Sequence, residues 1–399
     1  MPRINFRSVF LIVGLTALIV IYADLWHVMA ANPIELTRKD FIALYTAGRI
    51  ANSGKWGSVY DLATQIAQEE QILGSPILSN DFAPFIHPPF ILPALALVSY
   101  LEYVPAYHTW AVIQFLLCLL SAWALLGAVP QLGNRKGLFA GIVLFFPVFI
   151  SILSGQDSTL LLLGISLWAY GLLSGKDRPA GIGLALATIR PQIALLLALP
   201  FLFKRRKVLW WFLGGTLILG VFSIALVGMH GMLGFLRLLG LSASGAGYLT
   251  NETAMVNFLG LLIRWFPGIP TVLAHAGAWV MFVGVAVFLC ILWIRSSEIA
   301  EKQIGLAVLL VLFAAPHLHY HDLVLLIVPI TCLMSILHSN KLLSGPIVSL
   351  FPLGVSWILL ISNSLDILKY NLPYLVGIVL GLFLWVPGII SKTRLPGGN

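Results

Sequence analysis

Apolar runs of about twenty residues recur from Ser8 to just before Lys392 in this 399-residue chain, and they leave it little choice of architecture. A bilayer core of ~30 Å takes roughly 20 helical residues to cross. Composition agrees: 59% of residues are hydrophobic, only 10% are charged and mean hydropathy is +0.98, whereas soluble domains carry about a quarter charged residues. The sequence predicts an all-α polytopic membrane protein. Residues 1–399 read as one integral membrane domain, with residues 31–106 as a first outer loop carrying interfacial helices and residues 230–270 as a second outer segment.

Spans are predicted over residues 8–29, 107–129, 137–153, 158–173, 208–229, 271–294, 304–315, 323–337, 342–361 and 372–390. Two regions are ambiguous. Residues 85–103 hold Pro88, Pro89 and Pro93 between the flanking Pro84 and Pro105, so they either cross or lie partly in the interface. Residues 180–203 are interrupted by Arg190-Pro191, giving one kinked helix or two short ones. The distribution of Lys and Arg chooses between these, because cytoplasmic loops collect positive charge. If 85–103 stays on one side and 180–203 crosses twice, the cytoplasmic face gathers fifteen of the 23 Lys and Arg, from Arg3, Arg7, Arg135 and Lys136 through the Lys204–Lys207 run to Lys341, Lys392 and Arg394. The opposite choice divides them almost evenly. Both choices give about twelve transmembrane helices and place Asp40, 230–270 and the His317–Asp322 turn on the outer face. The first also places Gln156, Asp157 and Arg190 there.

The same reasoning explains the net charge of +8. The charges are scattered over short loops as membrane orientation requires, and nucleic-acid binding is not supported. The apolar run after Arg3 and Arg7 has no small-residue cleavage site and leads into Tyr22-Ala-Asp-Leu-Trp-His27, so it reads as a retained first span with a cytoplasmic N-terminus. Cys118, Cys290 and Cys332 all sit in apolar segments, which implies neither a disulfide framework nor a thiolate metal site.

Ionisable groups at membrane depth are costly and are functional candidates by default. Asp40 lies at the edge of the bilayer, and Phe41, Leu44 and Tyr45 follow it at helical spacing. It is a candidate catalytic base or the cap of a short interfacial helix, and the two roles are compatible. Ala315-Pro-His-Leu-His-Tyr-His-Asp322 breaks two apolar runs. Three alternate histidines suggest zinc, yet on a helix only His317 and His321 share a face, so an acid or base role for one, with His319 as polar lining, is preferred to a metal. Arg190 before Pro191 offers a fixed cation beside freed backbone groups, suited to a phosphate, or else snorkels to an interface. Arg264 is a weaker candidate for the same task. The Gln156 amide suits sugar hydroxyls, and His87 in Ile86-His-Pro-Pro89 has no assigned part beyond that of an interfacial histidine. No nucleotide-binding, metalloprotease or esterase motif is present, so the donor of any reaction comes from the lipid. A secondary transporter or lipid flippase is the alternative, but its expected internal repeat is absent.

Asp40-Phe41 with Tyr45-x-Ala-Gly48 and Val59-Tyr-Asp61, then His87-Pro-Pro89, Gly155-Gln156, Arg190-Pro191, Asn251-Glu-Thr253 and Pro316 to His321, taken in order, resemble glycosyltransferase family 87 of the glycosyltransferase C superfamily. The resemblance implies a plasma-membrane enzyme of a bacterium that uses a polyprenyl-phosphate sugar donor, with mannose the family-weighted sugar and a lipid or glycan acceptor, and no cofactor or metal. It implies inverting transfer on the outer face with Asp40 as general base and His321 as its partner. Arg190 stands where the family commonly has Lys before Pro and retains the phosphate-pairing charge, with Arg264 as a second candidate cation, and Tyr45, His87, Gln156, Asn251, Glu252 and His319 are the substrate-binding candidates. The family turn resembles Ser-Pro-x-Ser-Trp-x-His-His, whereas this chain lacks the Trp and ends on Asp322. Glu252 adds an acid where the family commonly has Gln.

Overall fold

The protein is described from a computed structural model covering residues 6–31, 40–77, 82, 84–132, 135–243, 251–296, 299–342, 345–365 and 377. The predicted span 372–390 lies outside these residues apart from position 377. Among the described residues the regular structure is helical throughout. Six helices are long and apolar enough to cross a membrane: Ile12–Ala31, Tyr103–Ala128, Arg135–Leu153, Arg206–Ala243, Thr271–Arg295 and Tyr320–Ser339. Shorter apolar helices run over Pro89–Val98, Ser158–Leu173, Pro191–Leu202 and Phe351–Ser364.

In chain order the α-helices are α1 (Phe6–Ala31), α2 (Phe41–Asn52), α3 (Leu62–Leu73), α4 (Leu92–Val98), α5 (Tyr103–Ala128), α6 (Arg135–Val143), α7 (Phe146–Leu153), α8 (Ser158–Leu173), α9 (Asp177–Leu186) and α10 (Pro191–Ala198). They continue as α11 (Arg206–Ala243), α12 (Phe258–Trp265), α13 (Thr271–Arg295), α14 (Glu301–Ala314), α15 (Ile327–Ser339) and α16 (Gly345–Ser364). α1 exposes Ile12, Val13 and Val20, and α11 exposes Trp210, Leu217 and Ile218. Helices apolar all round with such faces suit lipid contact. The core is carried by α5, α8, α14 and α15, with Tyr107, Trp168, Val308 and Val328 fully buried.

One predicted span divides in two, and the structure adds detail to two further elements. The span 137–153 is two helices, because Pro147 in the first turn of α7 has no amide hydrogen to continue α6. The span 208–229 ends where predicted to within a residue, because α11 is broken at Gly228 (φ 69°, ψ 175°) and only resumes as a second helical stretch to Ala243. Of the first outer loop, α2 is covered by the rest of the protein: Phe41–Gly48, Ile50 and Ala51 are all buried. Polar side chains fasten it to the chain around α4, with Asn52 Nδ2 donating to the Ala96 carbonyl at 2.8 Å and Tyr45 to the Leu101 carbonyl at 2.8 Å.

Residues 85–103 contain only the 3-10 turn Pro89–Ile91 and the seven-residue α4. Together these rise about 16 Å, half of a ~30 Å core. Residues 157–205 form a zigzag. α8 leaves Asp157, and α9 returns beside it so closely that a Cβ on Gly171 would lie 2.4 Å from the Ala180 amide nitrogen. The chain reaches Arg190 next to Asp157, then α10 doubles back until Arg205 pairs with Asp177 at 2.6 Å and donates to the Leu172 carbonyl at 3.1 Å. Lys204 bonds the Ser296 carbonyl, and Gln131 and Ser335 both donate to Glu301, at 2.8 and 2.9 Å. One end of the helices therefore gathers residues 131, 177, 204–205, 296, 301 and 335, and the other gathers 87, 157, 190 and 322.

Candidate active site

The floor of the site is a chain reversal. α7 ends at Leu153, and Gly155 takes φ +73°, the left-handed region where a side chain is disfavoured. The Gly155 and Gln156 amides donate to the Ile152 and Ser151 carbonyls at 3.0 Å each, closing the end of α7. Two buried aromatic residues of α5 hold the turn: Tyr107 donates to the Leu153 carbonyl at 2.7 Å and Trp110 Nε1 to the Gly155 carbonyl at 2.9 Å. Asp157 follows at the entry to α8, where an aspartate ordinarily caps. It makes no capping bond and turns instead into an ion cluster.

In that cluster Asp157 Oδ2 lies 2.6 Å from His87 Nδ1 and Oδ1 lies 3.0 Å from Arg190 Nη2. Arg190 Nε is 3.4 Å from Asp322 Oδ1, which also accepts from Ser158 Oγ at 3.1 Å. His321 Nε2 closes the line 3.7 Å from Asp322 Oδ2. Both carboxylates are 1% exposed. Burial by itself raises the Asp157 carboxyl, but Arg190 and then His87 outweigh it and hold that carboxyl below its ordinary value. Arg190 and His87 come from breaks in regular structure, whereas His321 and Asp322 lie in the first turn of a 3-10 helix over Tyr320–Leu326. Arg190 has φ −125° and ψ 84° because Pro191 excludes the helical conformation from the residue before it. His87 precedes Pro88-Pro89, and its carbonyl accepts from Tyr60 at 2.6 Å.

The histidine turn is not helical over residues 315–319: it bends at Pro316 and His317 and is extended at His319, and His321 lies in the first turn of the 3-10 helix that follows. The His317 and His319 rings are 4.9 Å apart and those of His319 and His321 5.8 Å. The helical pairing of His317 with His321 does not apply here, because residues 315–319 are not a helix and the His319 ring neighbours both of the others. Burial pushes the His317 imidazole down to about 4 and His319 to about 3, with neighbouring charges smaller influences. Among the described residues no group of three His, Cys, Asp or Glu is placed to hold a metal ion.

Asp40 occupies the position before α2 but makes no side-chain capping bond. Its neighbour Phe41 packs on Gly155, the turn that carries Gln156 and Asp157. Its charge is felt at Tyr103 and at Tyr320, whose hydroxyl is 3.1 Å from Ser154 Oγ. Asp40 thus sits on the rim of the same reversal that carries the ion cluster. Gln156 is buried, with its Oε1 making no bond within the protein.

The remaining candidates are placed differently. The Tyr45 hydroxyl is committed to Leu101, so the side chain braces α2. Arg264 Nη1 donates to the Thr253 and Met255 carbonyls at 2.9 and 2.6 Å, bracing the segment that contains Asn251. Glu252 Oε1 is 2.8 Å from His275 Nε2 of α13, and Asn251 Oδ1 accepts from Thr253 at 2.7 Å. That segment is tied to the histidine turn by Asn257, which caps α12 and donates to the Ala315 carbonyl at 2.6 Å, and by the Val256 amide on the Leu318 carbonyl at 3.2 Å. The sequence reading did not select Asp157, Asp322, Ser158, Asn257 or His275 as site residues. For the two aspartates the available signal was a carboxylate within otherwise apolar surroundings.

The arrangement offers a carboxylate at the rim, free of a capping bond, beside a buried cluster with a fixed cation. It can take a proton at one point and balance developing charge at another. A search of curated proteins finds no match to the chain. A family model described as Glycosyltransferase family 87 matches residues 85–316, which include His87, Gln156, Asp157, Arg190, Asn251, Glu252 and Arg264. With more than half of its length matched by that model and several helices fit to cross a bilayer, the chain belongs to glycosyltransferase family 87 and is a membrane glycosyltransferase.

Proposed function

We propose that this protein transfers a hexose, with mannose the leading sugar, from a polyprenyl-phosphate donor to a hydroxyl of a lipid or glycan acceptor, with inversion, on the outer face of a bacterial plasma membrane. The observation that carries the reading is Asp40 at the start of a buried helix, seated through Phe41 on the Gly155 reversal and making no cap bond. In this mechanism Asp40 accepts the proton of the acceptor hydroxyl as that oxygen attacks the anomeric carbon. The bond from that carbon to the phosphate oxygen breaks on the opposite face, and the lipid phosphate leaves with the electron pair. Arg190, held in place by its carboxylates, supplies positive charge towards the leaving phosphate, and loss of one such donor costs ~3 kcal/mol of barrier. His321 lies at the other end of the cluster as the partner of Asp40, with the buried Gln156 amide available for sugar hydroxyls.

The zigzag of 157–205 supports a double passage for 180–203, each limb rising about 20 Å and so covering about two thirds of a ~30 Å core, with the end that carries Lys204, Arg205 and Arg206 cytoplasmic and Arg190 at the outer apex. Two crossings there, with 85–103 remaining on one side, accord with about twelve spans and a cytoplasmic N-terminus. The decisive experiment is Asp40→Asn in purified protein given a labelled polyprenyl-phosphate sugar. Transfer is expected to vanish while membrane insertion and thermal stability remain normal. Full activity of that variant excludes Asp40 as the base.

A further inference from the structure

The Gly155 reversal and the histidine turn are joined by a chain of hydroxyls whose direction is fixed. Ser154 Oγ lies 2.8 Å from the Ile150 carbonyl and 3.1 Å from the Tyr320 hydroxyl. A carbonyl can only accept, and serine has a single hydroxyl hydrogen, so both contacts are hydrogen bonds in one arrangement alone. Ser154 donates to Ile150, and Tyr320 donates to Ser154. The phenolic oxygen has thereby committed its hydrogen and keeps its lone pairs as acceptors, with no other partner among the described residues. Ser154 is buried at 4% exposure whereas Tyr320 is half-buried, so the chain runs from the interior to a more accessible end. That end belongs to the seat of Asp40. Ser154 precedes Gly155, on which Phe41 packs, and the charge of Asp40 reaches Tyr320. His321, next in sequence, meets the Tyr320 ring edge-on at 5.6 Å. On the other side of Gly155, Gln156 Oε1 is a second acceptor, buried and without a donor inside the protein. The reversal therefore presents two oxygens that await hydrogens, and a polyhydroxyl molecule supplies them.

We propose that Tyr320 is a specificity-determining residue for the acceptor: its phenolic oxygen accepts a hydrogen bond from a hydroxyl adjacent to the one that Asp40 deprotonates. This rests on the reading of Asp40 as base given above. The acceptor is then a polyol, a sugar ring rather than a simple alcohol, and a free glycan and a glycolipid headgroup share that chemistry. Because the chain of hydroxyls ends on a carbonyl, its direction does not reverse, and the Tyr320 end refuses a group that only accepts.

The test measures kcat/KM of the full-length protein for the dodecyl hexoside that the wild type uses best, for its monodeoxy and deoxyfluoro derivatives and for dodecanol, with a polyprenyl-phosphate sugar as donor. In the wild type, removing one hydroxyl is expected to cost about tenfold, as loss of a single hydrogen bond implies. The fluoro compound at that position should fall equally, since fluorine cannot donate. Tyr320→Phe is expected to lose about tenfold on the parent hexoside and to make no further distinction among the three compounds. Ser154→Ala removes the internal bond but keeps the phenol, and is expected to retain the preference for the parent over the deoxy compound. Comparison with the methyl hexoside separates the sources: preference for the dodecyl form assigns the polyol to a lipid headgroup, and equal use assigns it to a free glycan. Transfer to dodecanol as fast as to the dodecyl hexoside overturns the proposal, as does a Tyr320→Phe enzyme that discriminates as the wild type does. Equal loss of discrimination in Ser154→Ala and Tyr320→Phe marks Tyr320 as a brace of the turn and defeats it as well. Full activity of Asp40→Asn on the parent hexoside instead refutes the base assignment, and a wild type that uses no lipid-phosphate sugar refutes the donor assignment, both without any change at Tyr320.

Discussion

Gly155→Ala is the sharpest test of how Asp40 is held. A Cβ at Gly155 would lie 2.4 Å from Phe41 Cβ and 3.2 Å from Phe41 Cα, and ordinary contact begins near 3.4 Å, so Phe41 must recede by about 1 Å. The obstructing atom is a Cβ, which no rotamer change can move. Phe41 is 1% exposed and boxed in by the rings of Tyr45, Tyr103 and Tyr107 at 6.0, 5.5 and 5.7 Å, so the start of α2 must shift and carry Asp40 with it. A 1 Å misplacement of a reacting group costs on the order of 10²-fold in rate. For stability, the left-handed backbone adds ~1–2 kcal/mol and the overpacking ~1–3 kcal/mol. Gly175 provides the control: its φ is +71°, nothing lies within 4 Å of its Cβ position, and it belongs to the turn between α8 and α9. Gly175→Ala incurs the backbone cost alone and is expected to lower the unfolding midpoint slightly with kcat unchanged. Equal kcat in the two alanine variants refutes the claim that the Phe41–Gly155 contact sets the position of the base.

Arg190→Ala is expected to destabilise the protein by ~3–5 kcal/mol, because it strands two buried carboxylates, and to weaken dependence on the donor far more than on the acceptor. Unfolding by denaturant and a KM comparison with Arg190→Lys check this, and an unchanged donor dependence removes Arg190 from the phosphate site. Burial holds His317 and His319 neutral, at about 4 and about 3, so the unfolded chain takes up protons first as pH falls below ~6.5. Stability from these residues is complete above about pH 6.5 and is lost as pH falls towards those values. His319→Gln should make the loss between about pH 6.5 and 5 shallower, and an unaltered slope there contradicts the assignment. The lowered Asp157 carboxyl acts only below about pH 4, outside that window. Asp177→Cys is expected to react with an impermeant thiol reagent only from the cytoplasmic side. Labelling from outside alone reverses the orientation.

Hydropathy was sufficient for elements whose apolar length is uninterrupted: the sequence expectation for α8 coincides with Ser158–Leu173, and that for α13 differs by one residue. It was insufficient where one residue decides the outcome. Pro147 divides 137–153, whereas the predicted end of 208–229 falls one residue past the break at Gly228. At the site, Asp40, His87, Gln156, Arg190 and His321 stood out as polar groups in apolar or turn context. Their partners did not, because Asp157 meets His87 and Arg190 across 70 and 33 residues, and Ser158 meets Asp322 across 164. No local period encodes such distances. The burial of α2 was hidden for the same reason, since its covering comes from residues around Ala96 and Leu101 and from the Gly155 turn.

The charged cluster is also a poor means of stabilising a membrane protein. Withdrawing a carboxylate or a guanidinium from water costs several kcal/mol even after relaxation, and replacing a buried ion pair by apolar side chains of similar volume is often neutral or stabilising. Asp157 and Asp322, each 1% exposed, and Arg190 at 11% sit where leucine or methionine would serve packing as well. The distribution of the burden is informative too. Where Arg205 meets Asp177 both side chains are 22–26% exposed, so that ion pair is screened and cheap, as expected of a fastening between helix ends. At the opposite end two carboxylates, a guanidinium and two imidazoles are held beside the seat of Asp40. A stable helical bundle gains nothing from that concentration, whereas a site that moves a proton and discharges a phosphate requires fixed charges before the substrate arrives.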